Sequence, residues 1–457
     1  MFPTGEVSDD AVTTLLFSVA ALGALLLAGV LLRLGLGFLR RLFLPAALIG
    51  GVLGAVLGPH GLGLFPQGMV DTWATFPGTL ITVVFAPMLL GVRLPRVRET
   101  YQLVAPQLLF GYMGDLLLIG VPLLLGGILL TPFLGADPMF GTIIEVSWPG
   151  GHGTAGGMGA VYGDLGWNGG GDLALASATF ALVFGIVVGM VLINWGARRG
   201  HLTQLGGGSP EGQRSSDIVP GDDRASSGSV TLNKDLVDNL AFHGALIAVA
   251  ILFGWVLQHL LELLVPGMPL FPLAMIGGGA VQAVISRTRL GDAVDPRTLR
   301  TIQGWALDVL VVAAVASIAV PVILDNALPL VILLLASALV TVGFFAWAGP
   351  RVFRTAWFEQ AIVNFGTLAA VASVGLMLLR AVDPELRTVA GRAYALRAPF
   401  FSPILGGGLV TALLPALAST YGPVAVGGVA VAGVAVLYVL ARVLRLWTAP
   451  EPERQPA

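Results

Sequence analysis

The residues with the clearest chemical potential lie in a glycine-rich stretch between two long apolar segments. The stretch reads Pro149-Gly150-Gly151-His152-Gly153-Thr154-Ala155-Gly156-Gly157. Glycine and proline both weaken a helix, and irregular backbone at membrane depth is stable only where protein buries it or where it lines a wet cavity. The stretch therefore predicts the tip of a re-entrant hairpin at a transport site, with His152 at its centre.

Such a tip can bind ions of either sign. Free N–H groups at the positive end of a broken helix suit anions, and free carbonyl groups suit Na⁺. The glycines allow close approach to the backbone, Thr154 offers a hydroxyl, and His152 can donate a hydrogen bond or carry a charge. We predict a substrate site made of Gly150, Gly151, His152, Gly153 and Thr154. The alternative is that the glycines pack helices and that His152 is a satisfied interior histidine.

A plainer polar segment lies in the second half of the chain. It reads Glu359-Gln360-Ala361-Ile362-Val363-Asn364-Phe365-Gly366-Thr367. Because Phe365-Gly366-Thr367 lines up with His152-Gly153-Thr154, we predict a second hairpin whose tip adds Asn364, Gly366 and Thr367 to the substrate site. A purely structural break in a helix is the alternative.

Ionisable groups inside apolar segments are costly in a membrane and are therefore candidates for ion coupling. Glu145 precedes His152 by seven residues, and Asp308 lies within an apolar segment of the second half. Ser177 and Thr179 lie among small residues of a further apolar segment. We predict ion-coupling roles for Glu145, Asp308, Ser177 and Thr179. The alternatives are that Glu145 lies near the hairpin mouth and that the hydroxyls bond their own backbone. Three further carboxylates lie inside or beside apolar segments: Asp115, Asp164 and Glu359.

The composition indicates the surroundings in which these residues act. Of the 457 residues 56% are hydrophobic and 11% are charged, with a mean hydropathy of +0.88. Soluble domains carry about 25% charged residues, so this composition predicts an all-α polytopic membrane protein. The absence of cysteine excludes disulfides and thiol chemistry. A net charge of −2 gives no sign of nucleic-acid binding.

The apolar segments predict eleven spans and two hairpins. The hairpins are the Gly-broken or polar stretches at about 138–167 and 356–380. The N-terminal segment lacks the basic residues of a secretory signal, so its first apolar run is expected to be retained as a span. The spans are expected at about 11–32, 44–64, 76–95, 102–131, 172–196, 239–264, 270–286, 303–325, 327–349, 398–417 and 422–446.

Arginine clusters in alternate loops predict the orientation. The alternation holds only if each hairpin returns to its side of entry, which places the N-terminus outside and the C-terminus inside. Lys234 is the sole lysine, and a basic complement carried by arginine is typical of a GC-rich bacterial genome. We therefore expect a multi-pass protein of the bacterial inner membrane.

The two halves of the chain resemble each other. Leu44-Pro45-Ala46-Ala47-Leu48-Ile49-Gly50-Gly51 matches Phe271-Pro272-Leu273-Ala274-Met275-Ile276-Gly277-Gly278, and each opens the second span of its half. Two inverted-topology repeats of five spans plus a hairpin follow, with an extra C-terminal helix. The boundaries are 1–199 for the first repeat, 200–236 for a flexible cytoplasmic linker, 237–421 for the second repeat and 422–457 for the extra span and tail.

Gly150-Gly151-His152-Gly153-Thr154, followed by Ala178-Thr179-Phe180, resembles the bacterial sodium/glutamate symporter family, as does the run from Pro45 to Gly51. The resemblance implies inverted repeats, a homodimer, elevator-type movement and Na⁺-coupled uptake of glutamate. In place of the family's Gly-His-x-Gly-Phe-Gly-Leu-Gly motif, the second hairpin here reads Val363-Asn364-Phe365-Gly366-Thr367-Leu368-Ala369-Ala370.

We therefore expect a secondary active transporter that couples the uptake of glutamate, or of a related anionic carboxylate, to Na⁺. Na⁺ is expected as the coupling ion, with no other cofactor. An uncoupled channel or facilitator and a non-transporting membrane protein are the alternatives. Neither His-Glu-x-x-His nor Gly-x-Ser-x-Gly is present, so an intramembrane enzyme is not expected.

Overall fold

The computed structural model describes residues 8–41, 44–59, 61–91, 97–203, 224, 226–233, 235–261, 269–384 and 386–447. Within these ranges the regular structure is entirely helical. Most of the predicted linker, 204–223, lies outside the described residues, as do the predicted span ends at 92–95 and 262–264 and the tail from 448.

The first half contains nine helices in its described part. A 3₁₀ turn, Ala86–Leu89, extends the fourth helix, and a π-helical segment, Gly126–Leu130, joins the fifth to the sixth. The helices are α1 (Asp9–Gly35), α2 (Gly37–Arg41), α3 (Ala46–Leu57), α4 (Gln67–Phe85), α5 (Val97–Leu125), α6 (Thr131–Leu134), α7 (Ile143–Ser147), α8 (Gly151–Asp164) and α9 (Gly170–Arg198).

The second half contains ten helices among the residues that the structure covers. They are α10 (Asn239–Leu261), α11 (Leu270–Ile285), α12 (Pro296–Ala316), α13 (Val320–Asp325), α14 (Ala327–Val352), α15 (Trp357–Ala369), α16 (Ala372–Val382), α17 (Val389–Phe401), α18 (Leu409–Tyr421) and α19 (Pro423–Val443).

Eight of the described helical segments are long and apolar enough to cross a membrane, which fits a polytopic membrane protein. Two predicted spans are shorter than expected. The span predicted at 44–64 contains α3, of 12 residues, and that at 270–286 contains α11, of 16 residues. At 1.5 Å per residue such helices reach only about 18 and 24 Å, against about 30 Å of hydrocarbon.

The prediction of one continuous span at 398–417 is wrong. Helix α17 ends at Phe401, and residues 402–408, here called the glycine loop, separate it from α18. Gly406 and Gly407 have φ angles of +65° and +99°, which glycine adopts without strain. An average over the apolar window conceals these glycines. The span predicted at 303–325 is also broken, because α12 ends at Ala316 and α13 follows separately.

Each predicted hairpin contains two helices separated by a break. Helices α7 and α8 form the first broken unit, 143–164, which is interrupted at Trp148–Gly150. Helices α15 and α16 form the second broken unit, 357–382, which is interrupted at Ala370–Val371. The tip predicted at 364–367 is therefore one turn too early, and those residues lie inside α15.

Close glycine contacts join the helices of the first two predicted spans in each half. A Cβ on Gly29 of α1 would lie 2.2 Å from the carbonyl oxygen of Ala46 in α3. In the second half, a Cβ on Gly277 of α11 would lie 2.2 Å from the carbonyl oxygen of Ala250 in α10. Both helix pairs thus approach at backbone distance, as small residues allow in membrane proteins.

Candidate functional site

A cavity of about 200 Å³ lies between the breaks of the two broken units. Of the predicted site residues, Gly151 and His152 line it. Four parts of the chain form its wall: the first break, helix α9, the start of α3, and the second break together with the first turns of α16. The lining residues are Pro45, Ser147, Gly151, His152, Ala178, Leu182, Ala370, Val371, Ser373, Val374 and Met377.

The two breaks contact each other at this cavity. Gly151 has a φ of +67°, and a Cβ there would lie 2.4 Å from Cγ1 of Val371. Helix α8 begins at Gly151 and α16 begins at Ala372, so both helices start at the cavity wall. The first N–H groups of a helix lack intrahelical partners and carry partial positive charge. The cavity is therefore suited to an anion.

The imidazole of His152 is oriented by helix α9. Its Nε2 lies 3.1 Å from Oγ1 of Thr179, and that hydroxyl donates to the carbonyl oxygen of Leu175 at 3.1 Å. A hydroxyl has one proton to donate. Nε2 of His152 therefore carries the proton that Thr179 accepts, and the role of Thr179 in this arrangement is to hold the imidazole at the cavity.

Ser177 fixes the first break to α9. Its hydroxyl lies 2.7 Å from that of Ser147 and accepts a 3.1 Å hydrogen bond from Nε1 of Trp148. Trp148 is fully buried and packs against Phe184 with 5.3 Å between ring centroids. The hydroxyl of Ser177 thus positions the backbone just before the cavity-lining Gly151.

Three predicted residues face away from the cavity. Oε1 of Glu145 accepts hydrogen bonds from the Thr411 hydroxyl at 2.8 Å and from the N–H of Gly406 at 3.2 Å. A Cβ on Gly407 would lie 3.0 Å from Oγ1 of Thr154 and 3.6 Å from the Cα atom of Gly150. Glu145, Thr154 and Gly150 therefore face the glycine loop, on another side of the first break.

Two more predicted residues lie against or on helix α12. A Cβ on Gly153 would lie 2.4 Å from Cδ1 of Leu307, so this glycine serves helix packing. Asp308 is exposed and is not among the residues that line the cavity. Gly153 and Asp308 are thus not part of the cavity wall to which His152 belongs.

Asn364 belongs to a fully buried polar network. Its Nδ2 donates to Oε1 of Gln107 at 2.8 Å and to the carbonyl oxygen of Gln360 at 2.7 Å, and its Oδ1 accepts from Nη1 of Arg397. Nε2 of Gln107 in turn donates to Oε1 of Gln360 at 3.0 Å. Both polar atoms of the Asn364 side chain are thus engaged, and its bonds to Gln107 and Arg397 join α15 to α5 and α17.

The other two predicted residues of the second broken unit are also engaged in packing. Thr367 donates to the carbonyl oxygen of Val363 at 2.8 Å and lies 2.9 Å from the hydroxyl of Tyr394. A Cβ on Gly366 would lie 2.7 Å from the Cα atom of Gly375, where α15 and α16 are closest. Neither residue lines the cavity.

Comparison with known families identifies the family of the chain. The model of the sodium/glutamate symporter family matches residues 9–355. The chain belongs to that family. Comparison with curated proteins gives no match. The chain is thus a multi-pass membrane protein of a symporter family and not of an enzyme family, and Na⁺ is this family's coupling ion rather than a bound cofactor.

The family match ends just before the second broken unit. Helices α15 to α19 lie beyond residue 355, including the wall from Ala370 to Met377. This wall is what the sequence interpretation missed, because neither glycine nor proline marks the break at Ala370–Val371. Ser373 is the one hydroxyl on it, and its position two residues after the break is visible only once the break is known.

Proposed function

We propose that the chain transports glutamate or a related small carboxylate through this cavity, together with Na⁺. The observation that carries the proposal is the convergence of two helix N-termini, those of α8 and α16, on one cavity beside His152. Two positive helix ends suit a carboxylate, because oriented N–H groups replace its hydration. Membership of the sodium/glutamate symporter family supports the same substrate class.

The proposed recognition is shared between the two broken units. The first contributes the backbone at Gly151, the imidazole of His152 and the hydroxyl of Ser147, and the second contributes the backbone start of α16 and the hydroxyl of Ser373. Most of the remaining wall is apolar and excludes water from the substrate. A monocarboxylate would satisfy one helix end, whereas a dicarboxylate such as glutamate can engage both.

We further propose an inverted repeat with elevator-type movement. The matching glycine crossings of α1 with α3 and of α10 with α11 support the repeat, because each occupies the same place in its half. In this mechanism the two broken units move together as a body against those helix pairs. The homodimer, the re-entrant path of the broken units, the outside N-terminus and the bacterial inner membrane remain predictions.

Uptake into proteoliposomes tests the proposed function. Radiolabelled glutamate should accumulate only with an inward Na⁺ gradient, and competition by a panel of acidic amino acids and dicarboxylates should define the substrate. Replacing Na⁺ by choline should abolish accumulation. Flux that follows the substrate gradient alone, whatever the Na⁺ gradient, would instead favour the uncoupled facilitator.

A further inference from the structure

Three carboxylate oxygens lie fully buried beside the first broken unit without a hydrogen-bond partner. They are both side-chain oxygens of Asp115 and Oε2 of Glu145. Each of the two residues has 0% of its surface exposed. A buried carboxylate that lacks partners costs several kcal/mol unless its charge is neutralised. These oxygens therefore point to a positively charged ligand.

The two carboxylates belong to one buried cluster. Asp115 lies on α5, which packs against α7, the helix of Glu145, and the two charges are close enough to act on each other. The hydroxyl of Thr411 donates to Oε1 of Glu145 at 2.8 Å and accepts from the N–H of Gly407 at 3.0 Å. Thr411 and the glycine loop thus contact the cluster through Glu145.

Within the part of the chain that the structure describes, one side-chain cation faces this cluster, and its hydrogen bonds go elsewhere. The guanidinium of Arg397 donates to Asn364 and lies 4.7 Å from the ring centroid of Tyr394 and 4.3 Å from that of Phe401. It packs one turn from Asp115, since a Cβ on Gly111 would lie 2.4 Å from its Nη1. Two carboxylates and one guanidinium leave one negative charge to be balanced by a monovalent cation.

We propose that Asp115, Glu145 and Thr411 bind the coupling Na⁺. Hard cations prefer oxygen ligands, and these side chains supply carboxylate and hydroxyl oxygens. Among the described residues no group of three or more His, Cys, Asp or Glu could hold a metal ion, so a two-carboxylate site suits a monovalent ion better than a divalent one. The inference rests on the proposed function and assigns to it the residues that couple the ion.

The position of the cluster explains how Na⁺ would act on the substrate. A Cβ on Gly407 would lie 3.6 Å from the Cα atom of Gly150, and a Cβ on Gly406 would lie 3.7 Å from Cβ of Pro149. The glycine loop therefore contacts the first break, whose next residue, Gly151, lines the cavity. Na⁺ between Glu145 and Asp115 would fix the break and with it the helix end that receives the carboxylate, which makes binding of the two ligands mutually favourable.

The experiment measures Na⁺ binding without substrate. Thermal unfolding of the purified full chain is followed while NaCl replaces choline chloride at constant total salt, because a ligand that binds the folded protein raises its apparent stability. We expect Thr411→Val to raise the half-maximal Na⁺ concentration at least tenfold and Thr411→Ser, which keeps the hydroxyl, to leave it within twofold. Asp115→Asn and Glu145→Gln should abolish the Na⁺ effect. Asp71→Asn, an exposed carboxylate, is the control and should behave as wild type.

Each outcome bears on a separate conclusion. Wild-type Na⁺ midpoints in Thr411→Val, Asp115→Asn and Glu145→Gln would overturn the site, whereas Na⁺-driven uptake by the unaltered chain would leave the proposed function standing. Stabilisation of the wild type by acid alone, with none from NaCl, would overturn the site in favour of a proton. Loss of Na⁺ dependence in wild-type uptake would sink the proposed function itself. If the carboxylate variants fail to fold, the Thr411 pair still decides, because Val keeps the shape of Thr without the hydroxyl and Ser keeps the hydroxyl without the methyl group.

Discussion

Both broken units consist of two helices separated by a break, but their predicted polar residues lie on different sides of that break. In the first unit the break contains Pro149 and Gly150, and His152 lies just after it with its imidazole at the cavity. In the second unit the break has neither glycine nor proline, and the polar side chains predicted for the site lie before it, inside α15. Asn364 and Thr367 bond to neighbouring helices rather than to the cavity.

The difference shows that a helix can break without a glycine, and that a glycine can serve close packing without a break. The second unit breaks at Ala370–Val371, while its glycines at 366 and 375 let α15 and α16 approach at backbone distance. What the cavity obtains from this unit is a helix N-terminus, which backbone alone supplies, and the hydroxyl of Ser373. The first unit adds a side chain of defined chemistry, so we expect it to control substrate affinity and the second to control stability.

The largest expected effect tests the network that anchors the second unit. Arg397→Met should lower the free energy of unfolding by about 3 to 5 kcal/mol, because it leaves Asn364 and the charge of Asp115 without a buried cation. Thermal or denaturant unfolding in detergent measures the loss. Arg380→Met makes the same chemical change at an exposed position and should cost under about 0.5 kcal/mol. Equal stability of the two variants would contradict the anchoring role.

The next effect concerns the glycine contact within the second unit. Gly366→Ala places a Cβ 2.7 Å from the Cα atom of Gly375, so backbone has to move. We expect a loss of about 2 to 3 kcal/mol in unfolding free energy. Gly343→Ala, in a helix where a Cβ meets nothing within 4 Å, is the control and should be neutral or stabilising. A neutral Gly366→Ala would show that the two helices do not pack as closely as described.

A third effect should appear in transport and not in stability. His152→Ala removes the imidazole from the cavity wall, and we expect the KM for glutamate uptake to rise about tenfold to a hundredfold, equivalent to about 1.4 to 2.8 kcal/mol. Thr179→Val, which removes the hydrogen-bond acceptor of His152, should give a smaller rise in KM, and Thr179→Ser should restore it. An unchanged KM for His152→Ala would place recognition in the backbone alone.

The smallest effect gives the matching test of the second unit. Thr367→Val removes the 2.9 Å contact with the hydroxyl of Tyr394. We expect it to cost about 1 kcal/mol of stability and to leave the KM for glutamate unchanged, because the hydroxyl does not line the cavity. A rise in KM comparable to that of His152→Ala would erase the distinction between the two units.

Much of the fold could be read from local sequence properties. The eight apolar helices long enough to span a membrane all overlap predicted spans, because a lipid-facing helix needs a continuous apolar run and little else. A break at Pro149 was likewise predicted, since proline cannot continue a helix without cost. The irregular tip expected over 149–157 is shorter than predicted, because the backbone is helical again from Gly151 and the following glycines lie inside α8. Gly151 and His152 were predicted for the site and line its cavity.

The tertiary structure decided how the predicted residues are divided. Consecutive residues of one helix face different neighbours, so Gly151 and His152 line the cavity, Gly153 packs on α12 and Thr154 faces the glycine loop. Leu307 of α12 and the glycine loop lie more than 150 residues away in the chain, and no local pattern encodes which neighbour a residue meets. For the same reason Val371 carried no signal of its own. Asp115 was one of five carboxylates in or beside apolar segments, and no local pattern showed that α7, the helix of Glu145, packs against its helix.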